Sequence, residues 1–164
     1  MNTRSSILVL ATVAFVAACE KKPAPQADSA AAAAAAAATV APKSLHERLG
    51  GTAAIATVVD AFVANVAGDA RINKRFARVA GDTAAMRQFK QKLVDQICAG
   101  TGGSCTYTGL DMKAAHQGMG ISDAEFDALV DDLVKALDGA GVPQAEKDEL
   151  LAVLGPMRAD MVKK

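Results

Sequence analysis

One histidine has neighbours that suit it for metal chemistry. His116 follows Met112 by four residues and precedes Met119 by three, so a short helix would place the imidazole between two soft apolar side chains. A histidine in this setting can bind a metal that lies against a flat apolar group, as the axial ligand of a haem does. A core histidine satisfied by a backbone carbonyl gives the same pattern. The rest of the chain has to decide between these two interpretations.

Residues 1–18 have the pattern of an export signal. Arg4 gives a positive start, and residues 7–18 form an apolar run that is too short to cross a membrane as a helix. The run leads into Cys19 in a Val-Ala-Ala-Cys motif that resembles the lipobox of bacterial lipoproteins. The resemblance implies cleavage before Cys19 and lipidation of its thiol, with an ordinary secretory signal or a retained anchor as alternatives. Because Glu20 stands where an aspartate would indicate inner-membrane retention, the outer membrane is favoured.

Residues 19–43 predict a disordered linker. They contain three prolines and an alanine tract over residues 30–38, and they offer little apolar surface to bury. We expect this segment to hold the folded part away from the membrane, so that an exported, lipid-anchored protein faces the periplasm.

The folded part is predicted to be residues 44–164, which is long enough for one domain with one core. Lys and Arg together number 18, as do Asp and Glu, so the chain has no basic excess. No basic patch with interleaved aromatic residues is present, so a nucleic-acid partner is not expected. With no Trp, one Tyr and five Phe, the core must be mainly aliphatic.

Hydrophobic periodicity predicts an all-α domain. Ser44 and Ser122 each begin a capping-box pattern, and Gly155-Pro156 should split the last helix. No useful β alternation is present, and the His116 stretch is too short to be a stable helix without an outside partner. The apolar stripes at helical spacing run over residues 55–66, 86–97, 126–137 and 150–161.

Read in order, a series of short motifs over residues 44–162 resembles the truncated haemoglobins, and the group I branch most closely. The motifs are Leu49-Gly50-Gly51, Val59-Asp60-Ala61-Phe62, Phe76, Thr101-Gly102-Gly103, Tyr107-Thr108-Gly109, Asp111-Met112-Lys113 leading to His116, and Gly118-Met119-Gly120-Ile121.

The resemblance implies a two-over-two helical sandwich around haem b, with His116 as the proximal iron ligand. It also implies that Phe76 packs against the haem and that Phe89 and Leu93 face the iron from the distal helix. Met112 and Met119 are expected in the wall of the pocket. Lys92 is a candidate partner for a haem propionate, although a solvated lysine is the common alternative.

The chain departs from the family pattern on the distal side. Many group I members have a tyrosine directly after the residue that matches Phe62, and a glutamine or similar donor on the distal helix. This chain has Val63 and Leu93 there, so we expect a pocket without a strong hydrogen-bond donor and with modest oxygen affinity. By their positions, three other side chains of the distal helix are not expected to replace that donor: Gln88, Gln91 and Gln96.

Two cysteines remain once Cys19 is assigned to lipid. Cys98 falls in the last turn of the distal helix and Cys105 in the glycine-bearing loop beyond it, so their Cα atoms can come within disulfide range. An oxidising compartment favours a bridge, and two free thiols are the alternative. A metal site is not expected, because no further ligand has suitable spacing.

The leading function is reversible binding of O₂, NO or CO at a haem in the cell envelope. One alternative is NO dioxygenation or a peroxidase-like reaction, which would need an external electron donor, and a distal acid–base group for the peroxidase. The other is a helical lipoprotein that has lost haem and serves as an interaction surface. His46 is interpreted as a surface or packing residue, and a second histidine ligand from this position is not expected.

Overall fold

The structure, a computed structural model, describes residues 42–163. The predicted signal peptide, Cys19 and nearly all of the predicted linker lie outside the described residues. Eight α-helices are described: α1 Leu45–Arg48, α2 Gly51–Gly68, α3 Ala77–Ala80, α4 Thr83–Gly100, α5 Met112–Ala115, α6 Asp123–Gly139, α7 Gln144–Leu154 and α8 Arg158–Met161.

The all-α prediction is confirmed, since residues 42–163 contain no strand beyond one isolated bridge between Ile121 and Val162. The predicted break at Gly155-Pro156 is a 3₁₀ turn, Gly155–Met157, that separates α7 from α8. A second 3₁₀ turn, Asn73–Phe76, connects α2 to α3.

Local signals set the ends of the helices. Ser44 and Ser122 both form the predicted capping boxes, each with the glutamate three residues later. Asp82 caps α4, because its side chain accepts hydrogen bonds from the N–H groups of Ala84 and Ala85 at 2.7 and 3.0 Å. Helices α1, α4 and α6 therefore begin where a side-chain oxygen satisfies one or two of their first N–H groups.

Helix α2 is the centre of the fold, because it packs mainly against α4 and α6. By length and composition alone it is apolar enough to cross a membrane. Its apolar residues instead form the middle of the core, which accounts for that composition. Its buried residues are Ile55, Val58, Val59, Phe62, Val63 and Val66.

The face of α4 is less buried than its apolar stripe suggests. Ile97 is buried, but Met86, Phe89 and Leu93 are only half-buried and lie at the edge of the core. Val94 and Cys98, each one residue after a position of the predicted stripe, are buried instead. The packing of α2 on α4 therefore leaves an apolar strip of α4 partly open.

One carboxyl group is buried between α2 and α6. Asp132 of α6 is 6% exposed, and its Oδ2 has no hydrogen-bond partner among the described residues. Burial raises the pKa of this carboxyl group, and the nearby carboxylate of Asp69 adds to the rise. The positive charges of Arg71 and Lys135 lower the pKa of Asp132 and so oppose this rise.

The Asp132→Asn variant should be more stable than the parent at mildly alkaline pH, by on the order of 1 kcal/mol. Because folding raises the pKa of Asp132, its contribution to stability is full below the ordinary carboxyl pKa and is lost as the pH rises through the raised value. Urea unfolding of both proteins over a pH series measures this difference. A difference between the two proteins that does not change with pH would contradict the assignment.

Candidate haem site

His116 lies at the C-terminal end of α5 with one ring nitrogen engaged. The helix begins at Asp111, whose side chain accepts a hydrogen bond from the Ala114 N–H at 2.8 Å. The Nδ1 of His116 lies 2.8 Å from the Met112 carbonyl oxygen, so Nδ1 carries the proton and donates. Within residues 42–163 no hydrogen bond involves Nε2, whose lone pair is then available. A carbonyl partner on the far nitrogen is the usual support of a metal-bound histidine.

The proximal segment packs mainly on the C-terminal helix. α5 contacts α8, and the Lys163 N–H donates to the Ile121 carbonyl oxygen at 2.9 Å. Met112 and Met119, predicted as wall residues, are half-buried on either side of His116. These contacts hold the segment around His116 against α8.

Gln96 reaches across from α4 to the proximal side. Its Nε2 lies 3.4 Å from the Met112 sulphur and 3.2 Å from the Met157 sulphur, which are weak acceptors. Gln96 does not line the cavity described below, and the expectation that it does not replace the distal donor stays a prediction. Gln96 follows Phe89 by seven residues and Leu93 by three, so helical spacing alone could have placed it on their face.

An apolar cavity of about 80 Å³ lies between α2 and the first half of α4. Val63 and Phe89, both predicted on the distal side, line it together with Phe76, which was predicted to pack against the haem, and Asn73 is the polar residue among its lining side chains. The rings of Phe76 and Phe89 pack with centroids 5.7 Å apart. A water molecule takes about 30 Å³ in the liquid, so the space suffices for a diatomic gas. Neither Leu93 nor His116 lines this cavity.

Arg75 ties the distal connection to the loop after His116. Its Nη1 donates to the Met119 carbonyl oxygen at 2.7 Å, and its Nη2 lies 3.4 Å from the Gly120 carbonyl oxygen. Its Nε and Nη2 also bind the two carboxylate oxygens of Glu125 at 2.7 and 3.0 Å. We call these contacts the Arg75 clamp. The sequence does not predict it, because Arg75 and Glu125 are 50 residues apart and nothing local links them.

The clamp has a clear electrostatic effect on its carboxylate. Hydrogen bonds from Arg75 lower the pKa of Glu125 to about 2, and the Ser122 N–H adds to the effect. Glu125 is also the acidic member of the capping box that starts α6. Glu125 thus joins the start of α6 to Arg75, and Arg75 in turn binds the loop after His116 from the turn that carries Phe76.

The remaining predicted residues lie outside this arrangement. Lys92 is exposed on α4, which is compatible with either a propionate partner or a solvated lysine. Cys98 and Cys105 are joined by a disulfide with Cα atoms 5.8 Å apart. His46 lies near the N-terminus of α2, where its Nε2 is 3.0 Å from the Thr52 hydroxyl. No group of three or more His, Cys, Asp or Glu side chains in residues 42–163 is placed to hold a metal ion.

These residues fit a haem better than an isolated metal ion. A haem iron needs only one protein nitrogen, which the Nε2 of His116 can supply, and the porphyrin needs two apolar walls. The half-open strip of α4 and the methionines beside His116 provide such walls. A core histidine would account for the bond from Nδ1 but not for the open apolar strip.

Comparison with solved structures places the fold in a known class. A truncated hemoglobin of Tetrahymena pyriformis in its Fe(III) form has a TM-score of 0.67 and 30% identity, over 74% of this chain and 100% of that chain. A 2/2 hemoglobin of a Synechococcus species, solved with covalently attached heme, also has a TM-score of 0.67, with 34% identity over the same shares. The predicted two-over-two globin fold is confirmed.

The model of the bacterial-like globin family matches residues 44–163, and the chain belongs to that family. Among its relatives, the group 1 truncated hemoglobin GlbN of Mycolicibacterium paratuberculosis is 33% identical over 120 residues, which are 73% of this chain and 85% of the relative. The expectation of a group I truncated haemoglobin is thereby confirmed, and with it a protein of the haem-based gas-binding class.

Proposed function

We propose that this protein binds a diatomic gas, O₂, NO or CO, reversibly at a non-covalent haem b whose iron is held by His116. The observation that carries the proposal is the bond from His116 Nδ1 to the Met112 carbonyl oxygen, which leaves Nε2 free. Bound haem would supply an iron with an open coordination position for the gas. Met112 and Met119 would flank the haem on the proximal side, and Phe76, Phe89 and Leu93 on the distal side, with Lys92 as a possible partner for a propionate.

The choice of non-covalent haem b is supported by the side chains available for attachment. Covalent attachment through cysteine needs a free thiol near the haem edge, as in the Cys-x-x-Cys-His motif. In the described domain Cys98 and Cys105 are bonded to each other, and the second histidine, His46, is engaged with Thr52. Extraction of the haem into acidified organic solvent tests this part of the proposal directly.

We further propose export and anchoring of the protein through a lipid on Cys19, with the domain facing the periplasm. The support is the pattern of residues 1–18 and the linker composition of residues 19–43. A disulfide between Cys98 and Cys105 suits such an oxidising compartment.

An enzymatic role at the same haem, such as NO dioxygenation, remains the second proposal, and it needs an external electron donor. A peroxidase-like reaction is less well supported, because the cavity beside Phe76 is lined by apolar side chains and one amide, Asn73, rather than by an acid–base group.

The experiment that tests the function is a haem titration of the domain from Ser44 onward. The Tetrahymena chain, matched over its whole length, has no more than this domain. The parent domain should give a Soret band that shifts on reduction and again on adding CO. His116→Ala should lose the histidine-ligated spectrum, and His46→Ala is the matched control that should keep it. Absence of a Soret band in the parent would refute gas binding at a haem.

A further inference from the structure

The disulfide lies beside the N-terminus of α2. The hydroxyl oxygen of Thr52, the second residue of α2, is 3.7 Å from the sulphur of Cys98 and 3.7 Å from that of Cys105. Helix α2 has 18 residues, and its N-cap, Gly50, provides no side-chain hydrogen bond. The first N–H groups of a helix carry partial positive charge. Negative charge that develops on either sulphur would therefore lie near the partly positive N-terminus of α2, which would stabilise it.

His46 completes a cluster around these sulphurs. Its Nε2 lies 3.0 Å from the Thr52 hydroxyl, so imidazole, hydroxyl and disulfide form one connected group. A Cβ added to Gly103 would lie 2.7 Å from His46 Cδ2 and 2.5 Å from the Cys98 sulphur. The imidazole of His46 and the sulphur of Cys98 thus both pack against Gly103, where there is no space for a side chain. We call His46, Thr52 and the Cys98–Cys105 bond the sulphur cluster.

The two sulphurs differ in how accessible their residues are. Cys98 is fully buried in the last turn of α4, whereas Cys105 is half-buried in the following loop and Thr52 beside it is exposed. A thiolate from outside can therefore approach Cys105 but not Cys98. Attack at Cys105 makes Cys98 the leaving group, and a thiolate leaves faster when nearby groups stabilise its charge.

We propose that the sulphur cluster is a redox-active site that undergoes thiol–disulfide exchange with dithiols. A thiolate of the dithiol attacks the Cys105 sulphur, a mixed disulfide forms, and the bond to Cys98 breaks. The electron pair of that bond stays on Cys98, which takes a hydrogen bond from Thr52 and then a proton. The second thiol of the dithiol displaces Cys105, so the protein gains two electrons and two protons and the dithiol becomes a disulfide. This proposal does not depend on haem binding.

Reduction by dithiothreitol of the full chain carrying Cys19→Ser tests the proposal, with free thiols trapped by alkylation and counted by mass spectrometry. Thr52→Val keeps the shape of the side chain and removes the hydroxyl, so reduction should be about tenfold slower. Thr52→Ser keeps the hydroxyl and is the matched control, with a rate close to that of the parent. His46→Gln provides a second variant and should also slow reduction, because Thr52 loses its imidazole partner.

The same measurement separates a redox site from a purely structural bridge. A structural bridge would be reduced only as fast as the chain unfolds, with equal rates for the parent, Thr52→Val and His46→Gln once differences in unfolding rate are taken into account. That result would overturn the proposal. Thermal unfolding of each oxidised variant provides the correction. Slower reduction in Thr52→Val or His46→Gln at unchanged unfolding rate, with Thr52→Ser unaffected, supports exchange at a site built for it.

Discussion

Replacing Val63 by tyrosine should slow the release of O₂ by about ten- to a hundredfold. Dioxygen gains partial negative charge when it binds ferrous haem, and a hydrogen bond to such a group is worth about 1.5–3 kcal/mol, at about 1.4 kcal/mol per decade of rate. Val63 is 9% exposed and lines the cavity between α2 and α4, where a larger ring has space. Stopped-flow displacement of O₂ by CO measures the release rate.

Val63→Phe is the matched control, because it adds the same ring without the hydroxyl. Release should slow only in the tyrosine variant, whereas equal rates in the two variants would show that size rather than hydrogen bonding matters. Asn73 lines this cavity, whereas Gln96 of α4 contacts the sulphurs of Met112 and Met157. Asn73→Leu and Gln96→Leu should leave the release rate unchanged if neither amide reaches the gas.

Replacing Arg75 by methionine should speed haem loss by about 10–100-fold, the usual effect of removing a residue that supports a metal ligand. The side chain holds the backbone carbonyl groups of Met119 and Gly120, three and four residues beyond His116. Without the clamp, this loop loses its tie to the turn that carries Phe76. Transfer of haem to an excess of a haem-scavenging apoprotein measures the rate.

Arg71→Met is the matched control for the clamp. Arg71 also forms two ion pairs, with Asp69 and Asp131, but it makes no contact with the loop after His116. Haem loss should be nearly unchanged in this variant. Because Arg75 is a positioning residue, its loss should also shift the iron–histidine stretching band in the resonance Raman spectrum. An unshifted band with unchanged haem loss in Arg75→Met would show that the clamp serves the fold alone.

The helices could be predicted from the sequence because their signals are local. The capping boxes at Ser44 and Ser122 and the break at Gly155-Pro156 each depend on a few consecutive residues. Distal positions such as Val63 and Phe89 were found because the family resemblance supplied their context. The structure brings both into one cavity with Phe76.

The missed features depend on how distant segments meet. Asp132 lies among the acidic residues of α6, and only the packing of α2 on that face makes its carboxyl group buried. Arg75 and Glu125 are joined only when the turn before α3 meets the start of α6. Gln96 differs, because its spacing from Phe89 and Leu93 indicates the face of α4 on which it lies, whereas its contacts with Met112 and Met157 depend on the packing.

The central claim is that the Nε2 of His116 holds the haem iron, and chemical rescue tests it most directly. The resonance Raman spectrum of the reduced parent domain with haem should contain an iron–histidine stretching band. His116→Gly should lose that band, and free imidazole, which fits the space left by the side chain, should restore it. Persistence of the band in His116→Gly without imidazole would contradict the assignment, because another residue would then hold the iron.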